Sequence, residues 1–190
     1  ALLTSQIPAL LTAQVGALVS IQVINLLTSQ INALITTQIK VLPFINLLST
    51  DQIESILTSQ IAVITTSQIT VVLTGQIVSL LTSQVAVINT SDINALTSDQ
   101  TFVLETKQII ALTTDQIPAL TTTNVSLLTS SQEYVLLTSQ IPAFLTAQVG
   151  ALVSIQVINL LTSQINALIT TQIKVLPFIN LLSTDQVVSI

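Results

Sequence analysis

The residues able to do chemistry are few. The 190-residue chain carries eight acids and three lysines (Lys40, Lys107 and Lys174), and it has no Arg, His, Cys, Met or Trp. Without His or Cys, Ser–His and Cys–His nucleophiles cannot be assembled. Zinc, haem and iron–sulfur ligation by those residues is excluded too. Without Arg the bidentate phosphate fork is missing. A net charge of −5 is opposite in sign to the basic stripe that nucleic acid requires. Five acids, Asp92, Asp99, Glu105, Asp115 and Glu133, fall in the central stretch with Lys107 among them. Calcium wants several oxygen ligands, but the Gly-rich, Asp-containing nonapeptide of calcium-binding β-rolls is absent. Solvated surface charge is the reading adopted, and Tyr134 beside Glu133 is read as tolerated divergence. No catalytic residue, cofactor or metal is expected, and the chain is read as non-enzymatic.

The elements that must carry these side chains are unusual in composition. Half of the residues are hydrophobic and 6% are charged, against about a quarter charged in an average domain. A transmembrane helix needs about 20 apolar residues in succession. Uninterrupted apolar runs reach only five residues here, as in Val41-Leu42-Pro43-Phe44-Ile45, so no membrane-spanning segment is expected.

Internal repetition explains the composition. The 20 Gln residues, from Gln6 to Gln186, recur at steps of 8 or 16, except for 38 to 52 and 172 to 186, where the step is 14. The chain is a tandem octapeptide array with two residues deleted at 42–46 and again at 176–180. Leu3-Thr4-Ser5-Gln6-Ile7-Pro8-Ala9-Leu10 sets the frame, which gives 24 units, two of them shortened. The second position is Thr or Ser in every full unit, the fourth is nearly always Gln, the fifth Ile or Val, and the eighth aliphatic. The fourth position departs at Phe44, Asp92, Asn124 and Phe178, and the fifth at Thr101 and Glu133. The repeat-defining ladder is typified by Thr4, Gln6, Ile7 and Leu10, and by Thr58, Gln60, Ile61 and Ile64. The sixth position is free.

A longer repeat overlies the octad. Residues 136–190 match 2–56 at an offset of 134, differing only at Leu10/Phe144, Ile53/Val187 and Glu54/Val188. Pro43-Phe44 and Pro177-Phe178 mark the deletions, where the Phe is expected to refill the core of the shortened unit. Residues 1–190 read as one continuous array. Because it begins and ends inside the pattern, it reads as a fragment of a longer chain.

Two folds fit an octad. The first is all-β, a β-solenoid in which stacked units set Thr on Thr and Gln on Gln. It is favoured by 73 β-branched residues and is the expected fold. The alternative is a solenoid of one- to two-turn α-helices. Positions five, eight and the next first position have the spacing of a helical face. Thr113-Thr114-Asp115-Gln116 reads as a capping box, with Leu112 and Ile117 as its hydrophobic staple. Against helices stand Leu at the N-cap position and Pro8, Pro118 and Pro142 where a helical N–H is needed. Three octads per coil are expected in the solenoid.

Ala111-Leu112-Thr113-Thr114-Asp115-Gln116-Ile117 and Ala9-Leu10-Leu11-Thr12-Ala13-Gln14-Val15 resemble a bacterial tandem octapeptide repeat of the type Ala-Leu-Thr-Thr-Ala-Gln-Val-Ala. That repeat occurs in very large surface or secreted proteins, sometimes labelled haem-utilisation or adhesion proteins. The resemblance covers essentially the whole chain and implies an extracellular or cell-surface location. Its haem label gains no support from a chain with no His, Cys or Met to ligate iron.

The expected function is structural: an extracellular fibre, sheath or adhesin stalk that self-associates end to end or laterally. The alternative is a surface-binding module, for ice or carbohydrate, using Thr and Gln ladders.

Overall fold

The computed structural model describes residues 2–190. They form 19 α-helices and five 3-10 helices, each three to six residues long, with no strand among the described residues. The expected all-β solenoid is therefore incorrect, and the chain takes the short-helix alternative.

Octad 57–64 shows why. Its helix is Thr58–Ile61. The N–H groups of Gln60 and Ile61 both donate to the Leu57 carbonyl at 2.9 Å, and Ala62 donates to Thr58 at 2.9 Å. Val63 donates to Gln60 and Ile64 to Ile61, each at 3.2 Å. The Leu57 N–H donates to Oε1 of Gln60 at 2.8 Å. Only the N–H groups of Thr58 and Ser59 lack a partner within the octad, and both residues are exposed, where water can serve them. A backbone satisfied within eight residues has almost no donors left for a β ladder. Local accounting thus overrides the β propensity of Ile, Val and Thr.

The two objections to helices dissolve at the same place. Leu is a poor N-cap because its side chain accepts nothing. Here Gln at the fourth position reaches back instead and caps the N–H of the first. Where the first position is Ser or Thr the box closes on both sides. Gln116 Oε1 accepts from the Thr113 N–H at 2.8 Å, and Thr113 Oγ1 accepts from the Gln116 N–H at 3.3 Å. Leu112 and Ile117, the staple pair, are both buried. Proline at position six removes one donor, and the turn tightens to 3-10 geometry at Thr4–Ala9, Ile117–Ala119 and Ile141–Ala143.

Positions eight and one are extended, as at Ile56 (φ −61°, ψ 129°) and Leu57 (φ −68°, ψ 151°). They form the corners between successive helices. The chain divides into two compact units, Ala1–Ala95 and Leu96–Ile190. In the first, the helix Thr28–Ala33 packs on Thr4–Ala9 and on Thr50–Ser55, which packs in turn on Thr74–Ser79. In the second, Ser130–Tyr134 packs on both Thr106–Ala111 and Ser154–Asn159. Each of these steps is three octads, so each unit is a helical solenoid with three octads to the coil. Positions five and eight fill its interior: Ile53, Ile56, Ile61, Ile64 and Ile69 are all buried.

The deletion removes only what the coil can spare. Residues 43–48 lack positions one and two. Phe44 takes a left-handed backbone (φ 54°) and leads into the 3-10 turn Ile45–Leu47. Phe178 repeats this at φ 52°. Such a backbone is strained for an aromatic residue. Phe44 is 46% exposed, whereas Ile45 and Leu48 are buried. The expectation that Phe refills the core is thus wrong. The retained fifth and eighth positions fill it, and the ring turns outward.

Candidate functional site

The Gln side chain holds the coils together. Its Oε1 caps its own octad, and its Nε2 donates to two main-chain carbonyls four octads earlier. Gln60 Nε2 reaches Ile31 O at 2.8 Å and Leu34 O at 2.6 Å. Gln84 reaches Ile53 O at 3.0 Å and Ile56 O at 2.6 Å. In the second unit Gln132 reaches Thr101 O at 3.0 Å and Leu104 O at 2.8 Å. The acceptors are mostly at positions five and eight, the corner below; Gln52 and Gln186 use positions six and eight, Ile24 with Leu26 and Ile158 with Leu160. Even above the shortened unit, Gln76 finds Ile45 O at 3.1 Å and Leu48 O at 2.7 Å. The Gln ladder is therefore internal, and from Gln30 onward these side chains are buried. Gln6 is exposed, as are Gln14 and Gln22.

The exceptions are repaired locally. Asn124 keeps one acceptor, Leu96 O at 2.9 Å, while the Thr121 hydroxyl caps its N–H at 3.0 Å. At Asp92 the missing donor is supplied by Asn89, whose Nδ2 bonds Ala62 O at 2.9 Å and Asp92 Oδ2 at 3.2 Å. Burial raises the Asp92 pKa despite the opposing Asn89 hydrogen bond.

The fifth-position exceptions are not repaired. The Thr101 hydroxyl and both Glu133 carboxyl oxygens are buried with no hydrogen-bond partner. Burial pushes the Glu133 carboxyl up to about 8, because an unpaired charge in an apolar interior is costly. Beside it lies a cavity of about 30 Å³ lined by Val125, Leu136, Phe144 and Val149 among others. The reading of all central acids as solvated charge fails at Glu133 and Asp92, both buried. It fits the half-buried Glu105 and the exposed Lys107, joined at 2.7 Å. Among the described residues no cluster of three or more acids could hold a metal ion.

Outside, position two forms rows of hydroxyls. Thr4, Thr28, Thr50 and Thr74 head helices stacked on one another, and all four are exposed. Thr58 is exposed as well, while Ile7, Ile61 and Ile64 lie in the core and Leu10 is half-buried. Beside the Thr row, position one presents Leu3, Leu27 and Leu73, which are 66%, 62% and 56% exposed.

In the second unit these rows frame an open groove of about 590 Å³ lined by Thr106, Ser130, Ser131, Tyr134, Val135, Ile158, Asn159 and Leu161. It crosses three stacked helices, Thr106–Ala111, Ser130–Tyr134 and Ser154–Asn159. Tyr134 is largely exposed. Asn159 Nδ2 donates to Ser130 Oγ at 3.3 Å. A second depression shares Thr106 and Ser131 and includes Glu105 and Lys107. Tyr134, read from sequence as tolerated divergence, sits at position six, the free outward position. That frame was the signal that could have placed it. Of the five aromatic residues only Phe144 is buried; Phe44, Phe102, Tyr134 and Phe178 face outward.

No helix among the described residues is long and apolar enough to cross a membrane. No family model matches the chain, and no curated protein or solved structure matches it either.

Proposed function

We propose that the chain is a non-catalytic, surface-binding repeat module of an extracellular or cell-surface protein. Its ligand on this reading is a neutral polysaccharide. The observation that carries it is the groove beneath Tyr134. An exposed aromatic ring offers an apolar platform with a polar tip, and Thr106, Ser130, Ser131 and Asn159 supply both donors and acceptors around it. Sugars present that mixture of C–H faces and hydroxyls. Gln plays no part in this surface beyond the first three, because its amide is committed between coils.

Retention on insoluble polysaccharides (cellulose, chitin and cross-linked agarose) tests the reading. Wild-type protein is expected to bind at least one of them saturably, and Tyr134→Ala to weaken binding roughly tenfold, about 1.4 kcal/mol. Absence of binding to all, or equal binding by the variant, defeats the groove. Thermal hysteresis in place of sugar binding would transfer the function to the Thr rows and ice.

A second reading, the structural fibre or stalk, is favoured by the exposed position-one Leu rows. Contiguous apolar surface on a protein marks an interaction site. Long rods or bundles in electron micrographs support that reading; monodisperse globules oppose it.

A further inference from the structure

One short helix carries the groove on its outer side and an unpartnered carboxyl on its inner side. Ser130–Tyr134 is five residues long, and Ser130, Ser131 and Tyr134 line the groove. Glu133 faces the other way. It is 2% exposed and lines the interior cavity of about 30 Å³, whose other nine lining residues are all Val, Leu, Ile or Phe. Neither of its carboxyl oxygens has a hydrogen-bond partner. Its main chain, by contrast, is tied at both ends. The N–H donates to Thr129 O at 2.9 Å, and the carbonyl accepts from Gln164 Nε2 at 2.9 Å.

Only the neutral acid can stay in that place. The cavity has room for about one water, and its walls offer no second polar group, so a carboxylate there is neither solvated nor paired. Among the described residues no charge faces it. Of the helices packed on Ser130–Tyr134, Ser154–Asn159 has no titratable residue, and Thr106–Ala111 has Lys107, which is exposed and paired with Glu105 outside. Asp99, in the octad that Gln132 clamps, is exposed. Burial is what lifts the Glu133 carboxyl to about 8. It is therefore neutral through pH 7, and its charge appears as pH passes 8. The way out for that charge is short. Tyr134 is already outside, so a turn of the helix that brings residue 133 to water also moves the ring.

We propose that the groove is proton-gated: it is formed while Glu133 is neutral, and ionisation of Glu133 turns Ser130–Tyr134 outward and releases the ligand. The turn breaks the Gln164 clamp on the Glu133 carbonyl, and with it the 3.3 Å bond from Asn159 to Ser130 across the groove wall. The gate rests on the reading of the groove as the binding surface and adds its regulation. The coupling is reciprocal, so ligand in the groove holds the proton on Glu133. The neighbouring octads keep their own caps and corners, which makes the change a local opening.

Two measurements on the 190-residue protein test the gate. The first is retention on whichever polysaccharide is bound at pH 6 (cellulose, chitin or cross-linked agarose), repeated at pH 7, 8 and 9. The wild-type Kd is expected to hold from pH 6 to 7 and to rise roughly tenfold by pH 9, as the neutral fraction falls. Glu133→Val, which restores the usual fifth-position residue, is expected to bind at pH 9 as it does at pH 6. Tyr134→Phe removes the phenol and is expected to keep the fall. The second measurement follows the side-chain amide signals of Gln164 and Asn159 by NMR without ligand. They are expected to shift with a midpoint near pH 8 in wild type and to stay fixed in Glu133→Val, with the helical circular dichroism spectrum unchanged. A wild-type Kd constant to pH 9 overturns the gate, as does an equal fall in Glu133→Val. A fall that disappears in Tyr134→Phe belongs to the phenol and overturns it too. Binding to no polysaccharide at any pH defeats the ligand assigned to the groove; the amide signals then decide the gate, a shift supporting it and fixed signals overturning it. Loss of the helical spectrum at pH 9 replaces local opening with unfolding and overturns it as well.

Discussion

At the scale of single residues, Gln at position four makes two kinds of bond at once, and its loss exposes both. Gln84 caps the Leu81 N–H at 2.7 Å and bridges Ile53 and Ile56 carbonyls. Gln84→Leu removes the Leu81 cap and takes the amide from Ile53 O, which keeps the Ile56 N–H, and from the carbonyl of the buried Ile56, so urea unfolding should show a loss of roughly 2–4 kcal/mol. Glu133 makes the opposite case. Its folded pKa of about 8 lies above the ordinary value near 4.3, so the folded state holds the proton more tightly than the unfolded state. Stability from this group is complete below pH 4 and falls as pH rises toward 8, by on the order of a few kcal/mol. Glu133→Val should flatten that profile and stabilise the protein most at pH 8, measured by denaturant midpoints at pH 5 and pH 8. A wild-type midpoint independent of pH would refute the buried, protonated carboxyl.

At the scale of the element, each helix is too short to stand alone; isolated helices under about a dozen residues are marginal in water. Octad 73–80 holds the glycine at position three, in the helix Thr74–Ser79. A methyl group on Gly75 would meet nothing within 4 Å, so Gly75→Ala should raise stability by about 0.5 kcal/mol through the unfolded chain. A drop in melting temperature would argue against that helix. The octad frame, its deletions, the staple of Leu112 with Ile117 and the box at Thr113 were all legible in the sequence. The choice of helix over strand was not. It depends on Gln as a cap for a neighbour whose own side chain has none, which no propensity scale weighs. Tyr134 was missed for a related reason. A single exception among 24 units looks like drift until stacking brings Thr106, Ser130 and Asn159 beside it.

At the scale of the whole molecule, contacts reach only three or four octads, so stability is approximately a sum of neighbours. Removal of residues 57–80, three octads, keeps every remaining helix in frame. That variant should retain its helical signal per residue and unfold cooperatively. Removal of 57–60 alone deletes Gln60 and puts Gln68, Gln76 and Gln84 out of frame with the corners before the gap, and it should abolish cooperative unfolding. Equal behaviour of the two deletions would show that the clamp does not govern packing. The clamp recognises only main-chain oxygens at fixed places, and this has a consequence for how such a chain can change. A joint that checks position and ignores identity accepts any octad that keeps count. The array can therefore lengthen by copying its own text, with no new interface to invent, while the outward sixth position varies from copy to copy at little cost to the fold.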